Sequence, residues 1–233
     1  MFSKDTFDSF ASLNNIMKLL KRDPAFNNHC QQEKIKKGAV VELYESYNTY
    51  FYIIQSGCMK YNHDLNSVND FQFLISKGDM PLLRPYMEEL PNRPVCEALV
   101  DTIWWKIDYP FFKRCILKED QKNIILLHHI ERTRKKLYTN YLKNLLSSRQ
   151  RVLFSLVMFL NQKIVKEPNT IEFPEYLNYT ILAEFSATSK NYTSDILRDL
   201  RAQNILISTK KPWIITDLKK FRELLTKEEV PYL

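Results

Sequence analysis

A chain of 233 residues, 45% hydrophobic, 13% aromatic and 26% charged, has the make-up of a globular protein with one large domain or two ordinary ones. No stretch approaches the roughly 18 uncharged apolar residues of a membrane span, and Met1–Asp5 opens no basic-then-apolar leader, so a cytoplasmic protein is expected. The net charge of +7 divides into a front of 12 basic against 14 acidic groups over 1–112, then 9 against 3 over 113–148 and 13 against 10 over 149–233, the distribution of a nucleic-acid binder with a separate regulatory part.

The opening segment to Leu20 has helical spacing in Phe7, Phe10, Leu13, Met17 and Leu20. From Ala39 to Ile107 the period changes to short, often alternating runs: Val40–Tyr44, Tyr50–Ile54, Met59–Tyr61, Phe71–Ile75 and Ile103–Ile107. These β-branched and aromatic runs, broken by Asn, Ser, Asp, Gly and Pro, predict strands of an antiparallel sandwich or barrel. The chain's three glycines, Gly38, Gly57 and Gly78, fall at strand junctions, where positive φ costs glycine nothing. Aromatic residues crowd this region (Tyr44, Tyr47, Tyr50, Phe51, Tyr52, Tyr61, Phe71, Phe73, Tyr86), chiefly as core and surface, with a few available to an unidentified small-molecule effector.

Between Lys113 and Ser148 there is neither Pro nor Gly, and Leu127, Ile130, Leu137 and Tyr141 recur at 3-4 spacing with Arg134 between them. One long helix is expected over 113–148, and such a row favours pairing with a second copy, making these five residues the dimer interface. Ser147-Ser148 interrupts it and caps a helix over Arg149–Asn161, after which Lys166–Asn169 forms a loop.

The most specific segment is Phe173–Leu200. A short helix over Thr180–Phe185 buries Ile181, Leu182 and Phe185, a tight turn follows at Ser186-Ala187-Thr188, and Ser189 caps a second helix reaching Gln203. Small Ala183 sits where two helices crossing at 90–120° meet, so the segment is a helix-turn-helix. Its second helix presents Lys190, Asn191, Tyr192 and Ser194, with Arg198 a turn later, to base edges or phosphates. Thr180, Thr188 and Ser189 offer hydroxyls to the DNA backbone. Asp195 would repel phosphate; it either accepts from a cytosine amino group or holds Lys190 or Arg198 in place. Ile205–Ile215 reads as two strands joined by a basic turn, a wing with Lys210 and Lys211 at its tip, and a helix over Asp217–Leu225 closes the domain.

The order of parts resembles the CRP/FNR family of bacterial transcription regulators along essentially the whole chain. The likeness rests on the turns Lys37-Gly38, Ser56-Gly57 and Lys77-Gly78-Asp79, on Ile107–Phe112 leading into the helix, and most strongly on Leu182-Ala183-Glu184-Phe185, Ser189-Lys190, Ile196–Leu200 and Asn204-Ile205-Leu206. It implies an α+β protein: an N-terminal β jelly-roll of the cyclic-nucleotide-binding type over 1–112, a dimerisation helix over 113–148 and a winged helix-turn-helix over 149–233. It further implies a homodimer on double-stranded, two-fold symmetric DNA, with RNA polymerase as a partner if the protein activates. The phosphate cassette of the cyclic-nucleotide binders is absent. Gly78-Asp79-Met80-Pro81-Leu82-Leu83 has no second Gly-Glu, and Asn92-Arg93-Pro94-Val95 keeps an arginine without its hydroxyl neighbour. A cyclic nucleotide is therefore not the expected signal, which leaves another signal or constitutive activity. Ala187 replaces the turn's usual glycine, and Lys190, Asn191 and Asp195 stand where the family often has Arg, Glu and Arg, so the operator should differ.

Cys30, Cys58, Cys96 and Cys115 form no close pair, so neither zinc nor an iron–sulfur cluster is expected; Cys58 or Cys96 stays open as a redox thiol. His29, His63, His128 and His129 lack metal spacing or a nucleophile, and three glycines leave no phosphate-binding loop, so neither an enzyme nor a cofactor is expected. The alternative reading is a sensor or adaptor of the same fold whose DNA-binding domain is degenerate, favoured by Asp195 and the modest charge of the last domain.

Overall fold

The computed structural model describes residues 3–43, 49–62, 73–83, 94–160, 164–167 and 169–231. Two compact units are present, the first ending at Tyr138 and the second continuing from Thr139.

The first unit opens with α1 (Lys4–Phe10) and α2 (Leu13–Leu20). The apolar spacing to Leu20 is carried by two helices because Ser12 accepts from the Asn15 N–H and caps a new one. After α3 (Phe26–His29) come β1 (Cys30–Ile35), β2 (Val40–Glu42), β3 (Tyr50–Ser56), β4 (Cys58–Asn62), β5 (Phe73–Ser76), β6 (Val95–Ala98) and β7 (Thr102–Asp108). They form two antiparallel sheets, β1-β7-β3 and β2-β6-β4-β5. Phe51, Ile53, Trp104 and Ile107 of the first sheet and Met59, Tyr61, Ile75 and Cys96 of the second share one core with Ile16 and Leu20 of α2. Apolar burial of this kind is the dominant stabilising force of the unit.

All three glycines have positive φ, 81° at Gly38, 96° at Gly57 and 84° at Gly78. Gly57 matters most, because there the chain leaves one sheet as β3 and enters the other as β4. Phe51, Tyr52 and Tyr61 are core residues; Tyr44, Tyr47, Phe71 and Tyr86 lie outside the described residues, as do His63 and the Asn92-Arg93 pair. All four cysteines are buried and none is joined in a disulfide. Burial pushes the Cys30 thiol up to about 12 and raises those of Cys96 and Cys115, which leaves the unreactive thiol form at neutral pH.

The uninterrupted helix expected over 113–148 is instead two helices. The first, α4 (Tyr109–Glu119), begins earlier because Asp108 accepts from the Phe111 N–H and Pro110 suits a first turn. The second, α5 (Ile124–Asn144), begins anew after Asn123 takes φ 54° and both carboxylate oxygens of buried Asp120 accept, at 2.8 Å each, from the N–H groups of Ile124 and Ile125. Leu127, Ile130, Leu137 and Tyr141 of α5 are exposed, as are Tyr138 and Leu145 beside them, over a range of 43–65%. Arg134, between them, is paired with Glu131 of its own helix. Away from this row, Arg132 and Lys136 reach the Asp79 carboxylate at 2.7 and 2.6 Å, and Asp79 also accepts from the Ser76 N–H.

In the second unit, Ser147 and Gln150 form a reciprocal capping box that opens α6 (Ser148–Leu160). The elements that follow are β8 (Ile164–Glu167), β9 (Thr170–Glu172), α7 (Tyr179–Phe185), α8 (Lys190–Ala202), β10 (Leu206–Ile207), β11 (Ile214–Ile215) and α9 (Leu218–Lys227). The sheet order is β10-β11-β9-β8, so of the loop expected over Lys166–Asn169 the first two residues end β8 and Asn169 precedes β9, Pro168 lying outside the described residues. Phe154 and Phe159 of α6, Leu182 of α7, Leu197 of α8, Ile215 of β11 and Phe221 of α9 are fully buried. Among the described residues no helix is long and apolar enough to cross a membrane.

Candidate nucleic-acid interface

The candidate interface is built by local capping on a buried frame. Asn178 accepts from the Ile181 N–H and starts α7 one residue before the expected Thr180. Ser189 accepts from the Tyr192 N–H and starts α8. Between them, Ser186, Ala187 and Thr188 make the turn, and Ala187 takes φ 49°, the left-handed conformation that glycine adopts more readily. The turn closes through the Thr188 N–H bonding the Ala183 carbonyl at 3.0 Å. A hydroxyl chain then joins Ser186 to Thr188 and Thr188 to Thr193, each step 2.8 Å.

Ile196, Leu197 and Leu200 face the core, and the first turn of α8 therefore presents Lys190, Asn191 and Tyr192 to solvent, with Asp195 and Arg198 exposed a turn later. Ser194 is half-buried beside them. Asp195 is paired with Arg198, one turn on along α8, at 2.8 Å. Lys210 and Lys211 are exposed in the connection between β10 and β11. Thr180 is half-buried on the second residue of α7. The Thr188 oxygen is engaged in the hydroxyl chain and that of Ser189 in the cap, so each has less left to offer a phosphate than an uncommitted hydroxyl.

Three residues outside the expected set organise this surface. Arg201 of α8 donates through one nitrogen to the Tyr179 hydroxyl at 2.9 Å and to Ser208 at 2.8 Å, tying both helices to the end of β10. Lys143 and Arg151 reach the α7–α8 turn from the end of α5 and from α6. Nothing local marks these three as special, since their partners lie up to 42 residues away. The histidines do no comparable work here: His128 meets Asp8 at 3.3 Å, and burial pushes His129 down to about 4, leaving it neutral. Among the described residues no three His, Cys, Asp or Glu side chains gather as a metal site.

No protein-family model matches the chain. It is 22% identical over 196 residues, 82% of its length and 84% of the relative's, to the HTH-type transcriptional regulator ArcR of Staphylococcus epidermidis. Among solved structures, a cyclic nucleotide-binding domain containing protein from Listeria monocytogenes aligns with a TM-score of 0.77 at 18% identity, over 89% of this chain and 98% of that one. A CRP-family transcriptional regulator from Thermus thermophilus aligns with a TM-score of 0.62 at 16% identity, over 86% and 98%. In the order of its parts and in its fold the chain is CRP/FNR-like.

Proposed function

We propose that the protein is a DNA-binding transcription regulator that acts as a homodimer on a two-fold symmetric site, its input a signal other than a cyclic nucleotide or none at all. The observation that carries this reading is the exposed first turn of α8. Lys190, Asn191 and Tyr192 stand exposed at a capped helix start, Arg198 is exposed further along the same helix, and Lys210 and Lys211 are exposed in the β10–β11 connection. A helix start of this kind offers free N–H groups and donor side chains together, as a major-groove reader requires. In this scheme 1–112 is the sensor domain, the 113–148 region the pairing element and 149–233 the DNA-binding domain, working in the cytoplasm with RNA polymerase as a partner if it activates.

Selection from random duplex DNA tests it. Wild type should enrich a palindrome with half-sites about one helical turn apart. The Lys190→Ala/Arg198→Ala pair should bind that palindrome about 2 kcal/mol more weakly, ~30-fold, with a shallower salt dependence. Failure to enrich any palindrome would favour the adaptor of the same fold, the reading that the Asp195–Arg198 pair on the reading face supports.

The homodimer rests on the exposed row Leu127, Ile130, Leu137 and Tyr141 around Arg134, which Tyr138 and Leu145 extend. Rows of exposed large apolar groups mark interaction surfaces, and 3-4 spacing suits a second copy of the same helix. Wild type should therefore sediment as a dimer at micromolar concentration and Leu137→Glu/Tyr141→Glu as a monomer; a monomeric wild type would end the reading. An input other than a cyclic nucleotide is supported by Met80, Leu82 and Leu83, which are buried where a phosphate would need open backbone amides.

A further inference from the structure

We infer that Lys143 and Arg151 are positioning residues for DNA reading, a two-cation clamp that fixes the α7–α8 turn, and with it the recognition helix, to the end of α5. The inference rests on the proposed roles of α8 and α5. Lys143 stands in the last turn of α5 and is only 4% exposed. Its Nζ donates to the Phe185 carbonyl at 2.7 Å and lies 4.7 Å from the centre of the Phe185 ring. Arg151 of α6 donates to the Ser186 carbonyl at 3.0 Å and to the Ala187 carbonyl at 3.2 Å. It also donates to the Leu146 carbonyl, in the short connection between α5 and α6, at 3.2 Å. Three successive carbonyls at the end of α7 thus meet two cations rooted on either side of the α5–α6 connection.

Helix C-termini attract cations because their last carbonyls lack partners and carry partial negative charge. A surface lysine would suffice for that. Lys143 is buried, and among the described residues no carboxylate lies within ion-pairing distance of it. The groups facing it are the Phe185 carbonyl and ring of α7 and the Arg151 guanidinium of α6, which repels it. An unpaired buried cation costs stability, so an apolar side chain would serve folding better. What the cation adds is a directional bond from the pairing helix to the turn that aims α8. In a two-fold dimer that bond sets the separation and tilt of the two reading helices, and therefore how strictly the half-site spacing is measured.

The test uses the full chain, the palindromic duplex selected by wild type, and duplexes with the half-site spacing changed by one base pair. Lys143→Met should bind the palindrome about tenfold more weakly, the scale of one lost charged hydrogen bond. It should also discriminate less between spacings, with its melting temperature unchanged or raised. Lys143→Arg should keep the discrimination.

Burial pushes Lys143 down to about 8, which gives a second readout with opposed signs. The folded value lies below the unfolded one, so folding stability gains from this group as pH rises from about 8 towards 10.5. Over the same rise the clamp loses its charge, so wild-type spacing discrimination should fall between pH 7 and 9 while that of Lys143→Arg holds. Unaltered affinity and discrimination in Lys143→Met would overturn the clamp alone. So would a joint fall of affinity and melting temperature that Lys143→Arg does not rescue, the mark of a merely structural residue. A wild type that selects no duplex would overturn the recognition-helix reading and the clamp's role with it.

Discussion

Gly57→Ala should lower the stability of the first unit by about 4 kcal/mol, seen as a fall of about 14 °C in its thermal transition by circular dichroism. Two costs add. At φ 96° an L side chain is strained, a cost of about 1–3 kcal/mol. A Cβ there would also overlap Thr102 Oγ1 and lie 2.6 Å from the Thr102 Cα, so backbone must move rather than a side-chain tip. Thr102 cannot easily give way, being fully buried, with its hydroxyl on the Val100 carbonyl and β7 paired on both sides. Overpacking of this kind adds about 1–3 kcal/mol. Gly38→Ala is the control: φ is 81° but nothing lies within 4 Å of the new Cβ, so only the conformational cost of about 1–2 kcal/mol should appear. Equal effects at the two glycines would contradict this account of the corner.

Asp79→Ala should cost about 3–5 kcal/mol, measured as a shift of the denaturation midpoint of the same unit. The carboxylate is 7% exposed and satisfies Arg132, Lys136 and the Ser76 N–H at once. Its removal leaves two cations of α5 side by side with no counter-charge. Burial already pushes Lys136 down against the pull of Asp79, so the loss should be felt chiefly there. Arg132 is more exposed and recovers water, which places the expected value near the lower end. Asp79→Asn keeps the shape and should lie between wild type and Ala. A shift below about 1 kcal/mol would mean that the pair contributes no more than a surface ion pair.

The parts that could be read in the sequence are those specified within a few residues. Ser189 and the apolar triplet Ile196, Leu197 and Leu200 define α8 locally, and the three glycines sit where positive φ is required. The α4–α5 break escaped because Asp120 caps a helix from within a polar run that contains neither Gly nor Pro. Strand β1, Cys-Gln-Gln-Glu-Lys-Ile, is too polar to look like a strand, and its pairing with β7 across 71 residues is what makes it one. The Asp195–Arg198 pair was among the options a helical spacing allows. The Lys143 and Arg151 contacts were not, since nothing in either neighbourhood says that the partner carbonyls are there.

The placement of the cysteines has a practical consequence. All four belong to the first unit and are buried there, and the second unit has none. A thiol-labelling reagent added to the native protein therefore acts as a clock for opening of the first unit alone, blind to the second. Trp213, buried in the second unit, offers a fluorescence signal from the other side of the chain, although Trp104 and Trp105 contribute to the same emission. Labelling followed by mass spectrometry would thus time one unit's exposure to solvent without dissecting the chain.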